Sequence, residues 1–237
     1  MGTVFGKTGV AEPSFEKMLT RSTVSLPYEI RQYGVRYAIE TEYNSVGGGQ
    51  GGGFRALAGY IGVGTAPQNE GSVAMAMTAP VVTENVGEKI AMTAPVVTSG
   101  AKKGESISMT APVVTSGDKQ MKKMQFILPE KYDDMSKIPK PTNPNVIVKE
   151  LPAETGAVHT FNGSMNDSKE KSKVTEFAKQ LKNDGVDMSE EEVLSKYDLW
   201  QFHPPFTLGP LRKNEIWVPL TAQQVNELLR KFKEEKE

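Results

Sequence analysis

The chain has no cysteine. Disulfides, thiolate catalysis, iron–sulfur clusters and cysteine-bound zinc are thereby excluded, and the absence fits a reducing compartment. No apolar run approaches the roughly 18 residues of a membrane span, so no transmembrane segment is expected. An excess of either charge is missing too. With 28 Lys and Arg against 29 Asp and Glu, the net charge is −1, which offers nucleic acid or anionic lipid no general attraction. A nucleic-acid partner is not expected. The start, Met1-Gly-Thr-Val-Phe-Gly6, has the Gly2 of a myristoylation signal but glycine where Ser or Thr is wanted. It also lacks a basic-then-apolar leader or an Arg/Ser-rich transit segment. These absences together point to a soluble, cytoplasmic protein, with the chloroplast as the alternative.

What the sequence does have is repetition. Met-Thr-Ala-Pro-Val-Val-Thr occurs at Met77–Thr83, Met92–Thr98 and Met109–Thr115. Each unit is short, rich in β-branched residues and bounded by turn formers, which predicts a strand followed by a turn. Alternation puts Met, Ala and Val on one face and Thr and Pro on the other. Proline cannot donate to a ladder, so each strand should have an edge, bulge or end there. With Met124–Leu128 the three units predict a four-stranded β-meander, an elaborated sheet rather than a solenoid.

Elsewhere the patterning predicts the following. Residues up to about Ser22 are weakly patterned and read as a surface arm. Tyr28–Tyr33 and Arg36–Tyr43 read as strands, the second half-buried, with Tyr37, Ile39, Thr41 and Tyr43 on one face and Arg36, Glu40 and Glu42 on the other. Gly47–Gly53 reads as a flexible loop. Phe54, Leu57, Ala58 and Ile61 have helical spacing, closed by Gly62 and Gly64. After a proline-studded connector the opening recurs in degenerate form. Val148-Lys-Glu-Leu151 resembles Ile30-Arg-Gln-Tyr33, and Gly156–Asn162 resembles Ala38–Asn44. A helix over Asp167–Lys182 stops at Gly185, and Ser189–Glu192 is a capping box. Leu199–His203 and Glu215–Leu220 are closing strands, and Thr221–Gln224 caps a last helix. Two strand–helix–strand–strand halves, 27–128 and 145–220, are expected to share one domain (27–220), between an arm (1–26) and a C-terminal helix (221–237).

Several stretches resemble the SOUL heme-binding protein family: Tyr28-Glu-Ile-Arg-Gln-Tyr33, Tyr60-Ile-Gly62 and Ile90–Val96, then Phe126–Tyr132, Phe161-Asn-Gly163 and Arg212–Trp217. The resemblance runs from about Pro27 to Leu220, and Met1–Lys7 resembles the start of cytosolic plant-type members. It implies an α+β fold. This would be a pseudo-two-fold, distorted antiparallel β-barrel with two main helices, related to bacterial effector-binding domains, here with extra meander strands and a C-terminal helix. It also implies non-covalent binding of heme or another porphyrin, as carrier, buffer or sensor. The family's heme surface would comprise the outer side of the first helix and the loop before the last strand. Here those are Arg55, Leu57, Ala58 and Ile61, and Phe206, Leu208, Leu211 and Arg212, with Arg55, Arg212 or Lys213 able to pair with propionates.

Heme iron accepts His, Met, Tyr or Cys, and the family shares no invariant axial residue. Of the two histidines, His159 falls mid-strand and is expected to be structural. His203, where a strand ends before Pro204-Pro205, is the candidate metal ligand. Met77, Met92 and Met109 recur at strand spacing and read as core. Two other function classes stay open. One is a small-molecule hydrolase or tetrapyrrole-modifying enzyme drawing an acid/base pair from Glu40, Glu42, Glu154 and Glu215. The other is a ligand-responsive interaction module. Protein partners are not indicated.

Overall fold

A computed structural model describes residues 12–44, 49–85, 121–203 and 207–233. Their strands, in chain order, are β1 (Phe15–Arg21), β2 (Tyr28–Tyr33), β3 (Arg36–Asn44), β4 (Val81–Asn85), β5 (Met121–Ile127), β6 (Ile147–Leu151), β7 (Glu154–Asn162), β8 (Asp198–Gln201) and β9 (Lys213–Pro219). The helices are α1 (Gly49–Ile61), α2 (Asp167–Asp184), α3 (Glu190–Lys196) and α4 (Ala222–Lys233). The strands form one sheet in the order β1-β2-β7-β9-β8-β4-β5-β3-β6, with every pairing antiparallel. The fold is α+β. The sheet is open rather than closed, with β1 and β6 at its two ends.

The order has a plain internal logic. β2 pairs with β7 and β3 with β6, so the opening strands of each half are stitched to those of the other. β5 pairs with β3 and β9 with β7, and β4 and β8 meet in the middle. Exchanging β2–β5 for β6–β9 turns the eight-strand order into its own reverse, and β1 alone breaks the pattern.

Period-two alternation gives the sheet two buried faces. On the outer face α1 packs over β3 and β5, burying Leu57, Tyr60 and Ile61 with Ile39, Tyr43, Met124 and Phe126. Beyond it, α2 lays Val174, Phe177, Ala178 and Leu181 over Tyr28, Ile30, Ala157 and Ile216, and α4 adds Val225, Leu228 and Phe232. Each buried Val, Leu, Ile, Phe or Met side chain among these stabilises the fold by about 1.5–3 kcal/mol relative to exposure. Asn166 caps α2 by accepting from Lys169 N–H at 2.9 Å, and Gly185, at φ +99°, ends it. Ser189 and Glu192 form the expected capping box at α3.

Four readings are corrected. Part of the presumed surface arm is edge strand β1, with Leu19 buried, because alternation in Phe15–Arg21 matches β2 residue for residue apart from one bulge. The glycine run is not a loop: Gly49–Gly53 forms the start of α1. Gly53 lies so close to β3 that a Cβ there would stand 3.2 Å from the Tyr43 ring. β3 is buried on both faces, Glu40 being only 3% exposed, because the second half covers the side expected to meet solvent. Finally, β4, from the first heptapeptide copy, pairs directly with β5, so the predicted sequential meander does not stand between them. The second and third copies lie outside the described residues.

Candidate functional site at the junction of the halves

The inner face is built from the alternate residues of strands drawn from both halves. Tyr33 of β2, Trp200 of β8 and Trp217 of β9 meet there, with Tyr33 5.2 Å and 5.3 Å from the two indoles and the indoles stacked at 5.6 Å. The Arg36 guanidinium sits 4.5 Å from the Tyr33 ring centroid and 5.9 Å from that of Trp200. Gly156 makes room for this group, since a Cβ there would fall 2.6 Å from Trp217 Cζ2.

Beside the aromatics lies a cavity of about 150 Å³, with an apolar side formed by Val82, Ile127 and Leu151. Its polar side holds Arg36, Glu84, Gln125, Lys149, Glu154 and Asp198. These groups are unequally satisfied. Gln125 donates to Glu40 Oε2 at 2.8 Å and to Glu84 Oε1 at 2.7 Å. Lys149 reaches Glu40 at 3.0 Å and Glu84 at 3.9 Å, while Lys123 reaches Glu40 at 3.3 Å. Burial works to raise the Glu40 pKa, but the hydrogen bonds from Gln125 and Lys149 and the two ammonium charges hold it below the usual range. Lys149 responds in kind: burial disfavours its charge, and Glu40 and Glu84 more than restore it.

Asp198 has no such support. Enclosure, and then the charges of Glu84 and Glu154, push its carboxyl well above the usual range. Glu84, its partner across the β4–β8 pairing, is raised too, first by burial and then by Glu40 against the opposing pull of Lys149. Lys149 and the indole N–H of Trp200 pull Asp198 the other way. That N–H nevertheless makes no hydrogen bond of proper geometry. Trp200 Nε1 and two nitrogens of Arg36, Nε and Nη1, are buried donors without a partner, whereas Arg36 Nη2 donates to Glu154.

A second carboxylate on the inner face is closed. Glu215 is fully buried and takes Arg31 Nη1 at 3.0 Å, Thr160 Oγ1 at 3.1 Å and Lys213 at 3.4 Å. Glu40, Glu42, Glu154 and Glu215 therefore do not converge as an acid/base pair. Glu40 and Glu215 have separate sets of cations, Glu154 pairs with Arg36, and Glu42 stands at the exposed end of β3 with Lys123 at 3.8 Å. The facing carboxylates are Glu84 and Asp198, which no sequence motif singled out. The one trace of them was period two, each standing two residues from a buried apolar residue of its strand, Val82 or Trp200.

The residues expected to form the heme surface are not gathered. Leu57, Ala58 and Ile61 are turned into the core beneath α1, Ala58 being 6% exposed, while Arg55 points to solvent. Leu208, at 58% exposure, precedes the 3-10 turn Gly209–Leu211 and Leu211, at 39%, ends it; the turn packs against β7. That strand is four steps from β5, where α1 lies, or about 19 Å along the sheet. Arg212 Nε donates to Thr207 O at 2.7 Å. Phe206 lies outside the described residues.

Both histidines are engaged. His159 is buried against Phe161 and Phe177, with Nδ1 2.7 Å from Pro27 O. As neutral imidazole its Nδ1–H donates to that carbonyl. Burial lowers its pKa, the carbonyl only partly opposing. The Nδ1 of His203 accepts from Lys213 N–H at 3.1 Å. In that arrangement Nε2 carries the proton of the neutral ring and has no lone pair for a metal. Among the described residues no cluster of three or more His, Asp or Glu could hold a metal ion, and no helix is long and apolar enough to cross a membrane.

Comparison with known proteins adds the following. A family model described as SOUL heme-binding protein matches residues 10–103 and 98–219. Curated proteins gave no match. Among solved structures the chain is similar to the EcmrR C-terminal domain, at 11% identity over 84% of this chain and 99% of that one, with a TM-score of 0.46. It is also similar to a hydrolase from Listeria innocua, at 11% identity over 82% and 91%, with a TM-score of 0.46.

Proposed function

The chain belongs to the SOUL heme-binding protein family, and from that premise we propose that it binds heme or a related tetrapyrrole non-covalently, as a carrier, buffer or sensor. The observation that carries the reading is the extent of the match, which takes in both halves and all nine described strands of the sheet.

The local chemistry narrows where a macrocycle would rest. The inner cavity of about 150 Å³ is well below the roughly 300–1,000 Å³ of enclosed ligand sites, so the disc would lie on open surface. Of the residues expected to touch it, Leu208, Leu211, Arg212 and Arg55 retain accessible surface, and Leu57, Ala58 and Ile61 hold α1 in place from below. The pair Leu208 and Leu211 offers apolar area on a short turn, with Arg212 beside it for a propionate. Contact of this kind gains about 25 cal/mol per Å² of apolar surface covered. After ordering and desolvation it supports about micromolar affinity without an iron bond. The tetrapyrrole brings its own macrocycle and metal chemistry; this chain supplies area and a cation.

The test is a hemin titration followed in the visible spectrum. A saturable Soret shift with one hemin per chain is expected, weakened by Leu208→Asp with Leu211→Asp. Absence of any saturable shift would overturn the reading.

A further inference from the structure

The cavity between the halves is not needed for a macrocycle, yet its donors are arranged for something. The large majority of buried side-chain polar atoms have a hydrogen-bond partner, and leaving one unpaired costs about 1–3 kcal/mol. Here three fall together: Trp200 Nε1, Arg36 Nε and Arg36 Nη1. The Arg36 side chain is only 9% exposed and is pinned by Glu154 through Nη2 and by Tyr33 beneath it. It cannot swing out to solvent to satisfy itself. Gln125 and Lys149, by contrast, are occupied by Glu40 and Glu84.

We propose that this cavity is a binding site for the carboxylate of a molecule with a small apolar body, the carboxylate oxygens accepting from Arg36 and Trp200 and the body lying against Val82, Ile127 and Leu151. The chemistry of the lining selects that class. The unpaired groups are all donors, so the occupant is rich in acceptors, and two of them belong to a guanidinium, so an anion gains more than a neutral oxygen. Asp198, whose carboxyl resists ionisation in this enclosure, can add an O–H donor rather than a repelling charge. The volume of about 150 Å³ admits only a few heavy atoms. Such a carboxylate has two sources, a free short-chain or aromatic monocarboxylic acid and the propionate arm of a tetrapyrrole held at the cavity mouth. The site itself does not rest on tetrapyrrole binding.

Its two tryptophans make the protein its own reporter. Indole N–H signals of the full chain are recorded by ¹H–¹⁵N NMR, with Trp200→Phe identifying the Trp200 signal, and butyrate, benzoate and butyramide are titrated in turn. Butyrate or benzoate should move the Trp200 signal downfield and saturate at about millimolar Kd, as suits so small a ligand. Butyramide, lacking the charge, should bind about tenfold or more weakly, and Arg36→Gln should weaken butyrate to the same degree. Removing Arg36 also strips Glu154 of its partner, so the comparison of butyrate with butyramide on the unaltered protein decides the matter if that variant does not fold. Protoporphyrin IX distinguishes the sources. If it shifts the same signal and butyrate displaces it, the occupant is a propionate. If it leaves the signal in place while butyrate moves it, the occupant is a free acid. Either result upholds the site. A Trp200 signal that neither the two acids nor the porphyrin moves, at concentrations about tenfold above a millimolar Kd, overturns it, whatever hemin does elsewhere on the surface.

Discussion

Glu84 and Asp198 stand directly opposite one another across the pairing of β4 with β8, one carboxylate from each half of the chain. Two acids so placed in an enclosed site resist ionising together. Asp198 has a folded pKa raised above its unfolded value, so the native state holds a proton that the unfolded state has released. The stability tied to that proton is full below the unfolded pKa, near 3.9, and is lost as pH rises through the raised folded pKa. Asp198→Asn should therefore raise the melting temperature at pH 7 and flatten its decline from pH 5 to 8. A variant that melts lower than wild type at pH 7 would show that the ionised carboxylate is needed.

His159 has the opposite sign. Its folded pKa is depressed by burial, so its contribution is present above the unfolded value, about 6.5, and is lost as pH falls through the folded one. Its ring signals in an NMR titration should stay those of neutral imidazole with a proton on Nδ1 until below pH 6.5. Replacing His159 and His203 together by Gln should leave hemin binding in place in any variant that folds, because His159 is buried at 5% exposure and the Nε2 of His203 carries the ring proton. Loss of binding with the fold intact would return an axial histidine to the account.

Gly156→Ala should destabilise the protein by about 1–3 kcal/mol in urea unfolding, since the new methyl would meet both Trp217 and the Val218 carbonyl at 2.6 Å. Gly34→Ala, with nothing within 4 Å, is the matched control and should change stability little. Equal effects would mean that the indole can move aside.

Ala58→Asp separates the two roles that α1 could have. Ala58 is buried among Leu57, Tyr60 and Met124, so a carboxylate there should lower stability by several kcal/mol and reduce hemin binding only in proportion to the unfolded fraction. Leu208→Asp should do the reverse, weakening hemin binding about tenfold with melting unchanged. A stable Ala58→Asp protein that no longer binds hemin would place the ligand on α1.

The halves should unfold together. Each lends its opening strand to the other through β2–β7 and β3–β6, and neither sheet half is complete alone. Far-ultraviolet circular dichroism and tryptophan fluorescence should report one coincident transition. Two separated transitions would mean that the halves are independent domains.

Much of the fold was legible because it rests on local rules. The stripe Val174–Leu181, the stop at Gly185 and the capping boxes at Ser189 and Thr221 all depend on residues within a few positions of one another. The degenerate echo of Ile30–Tyr33 in Val148–Leu151 pointed to two matched halves. The glycine run misled because glycine has poor helix propensity. Close approach to β3 explains why the start of α1 keeps it: a Cβ at Gly49 would overlap Asn44 O, and one at Gly53 would stand 3.2 Å from the Tyr43 ring.

The candidate site was a matter of tertiary structure. By itself the sequence determined which residues alternate, where helices begin and end, what chemistry is excluded and which family the chain joins, because these follow from short-range spacing and residue type. Whether Ala58 faces ligand or core, and whether Glu40 meets solvent or Lys149, depended on which surface covers each face, and that surface comes from the other half of the chain. Arg36, Trp200, Glu84 and Asp198 are unremarkable in sequence and more than 160 positions apart at their extremes, 36 and 200. Only the pairing of β4 with β8 and of β3 with β6 sets their side chains around one small cavity, where enclosure turns ordinary charges and N–H groups into unpaired ones.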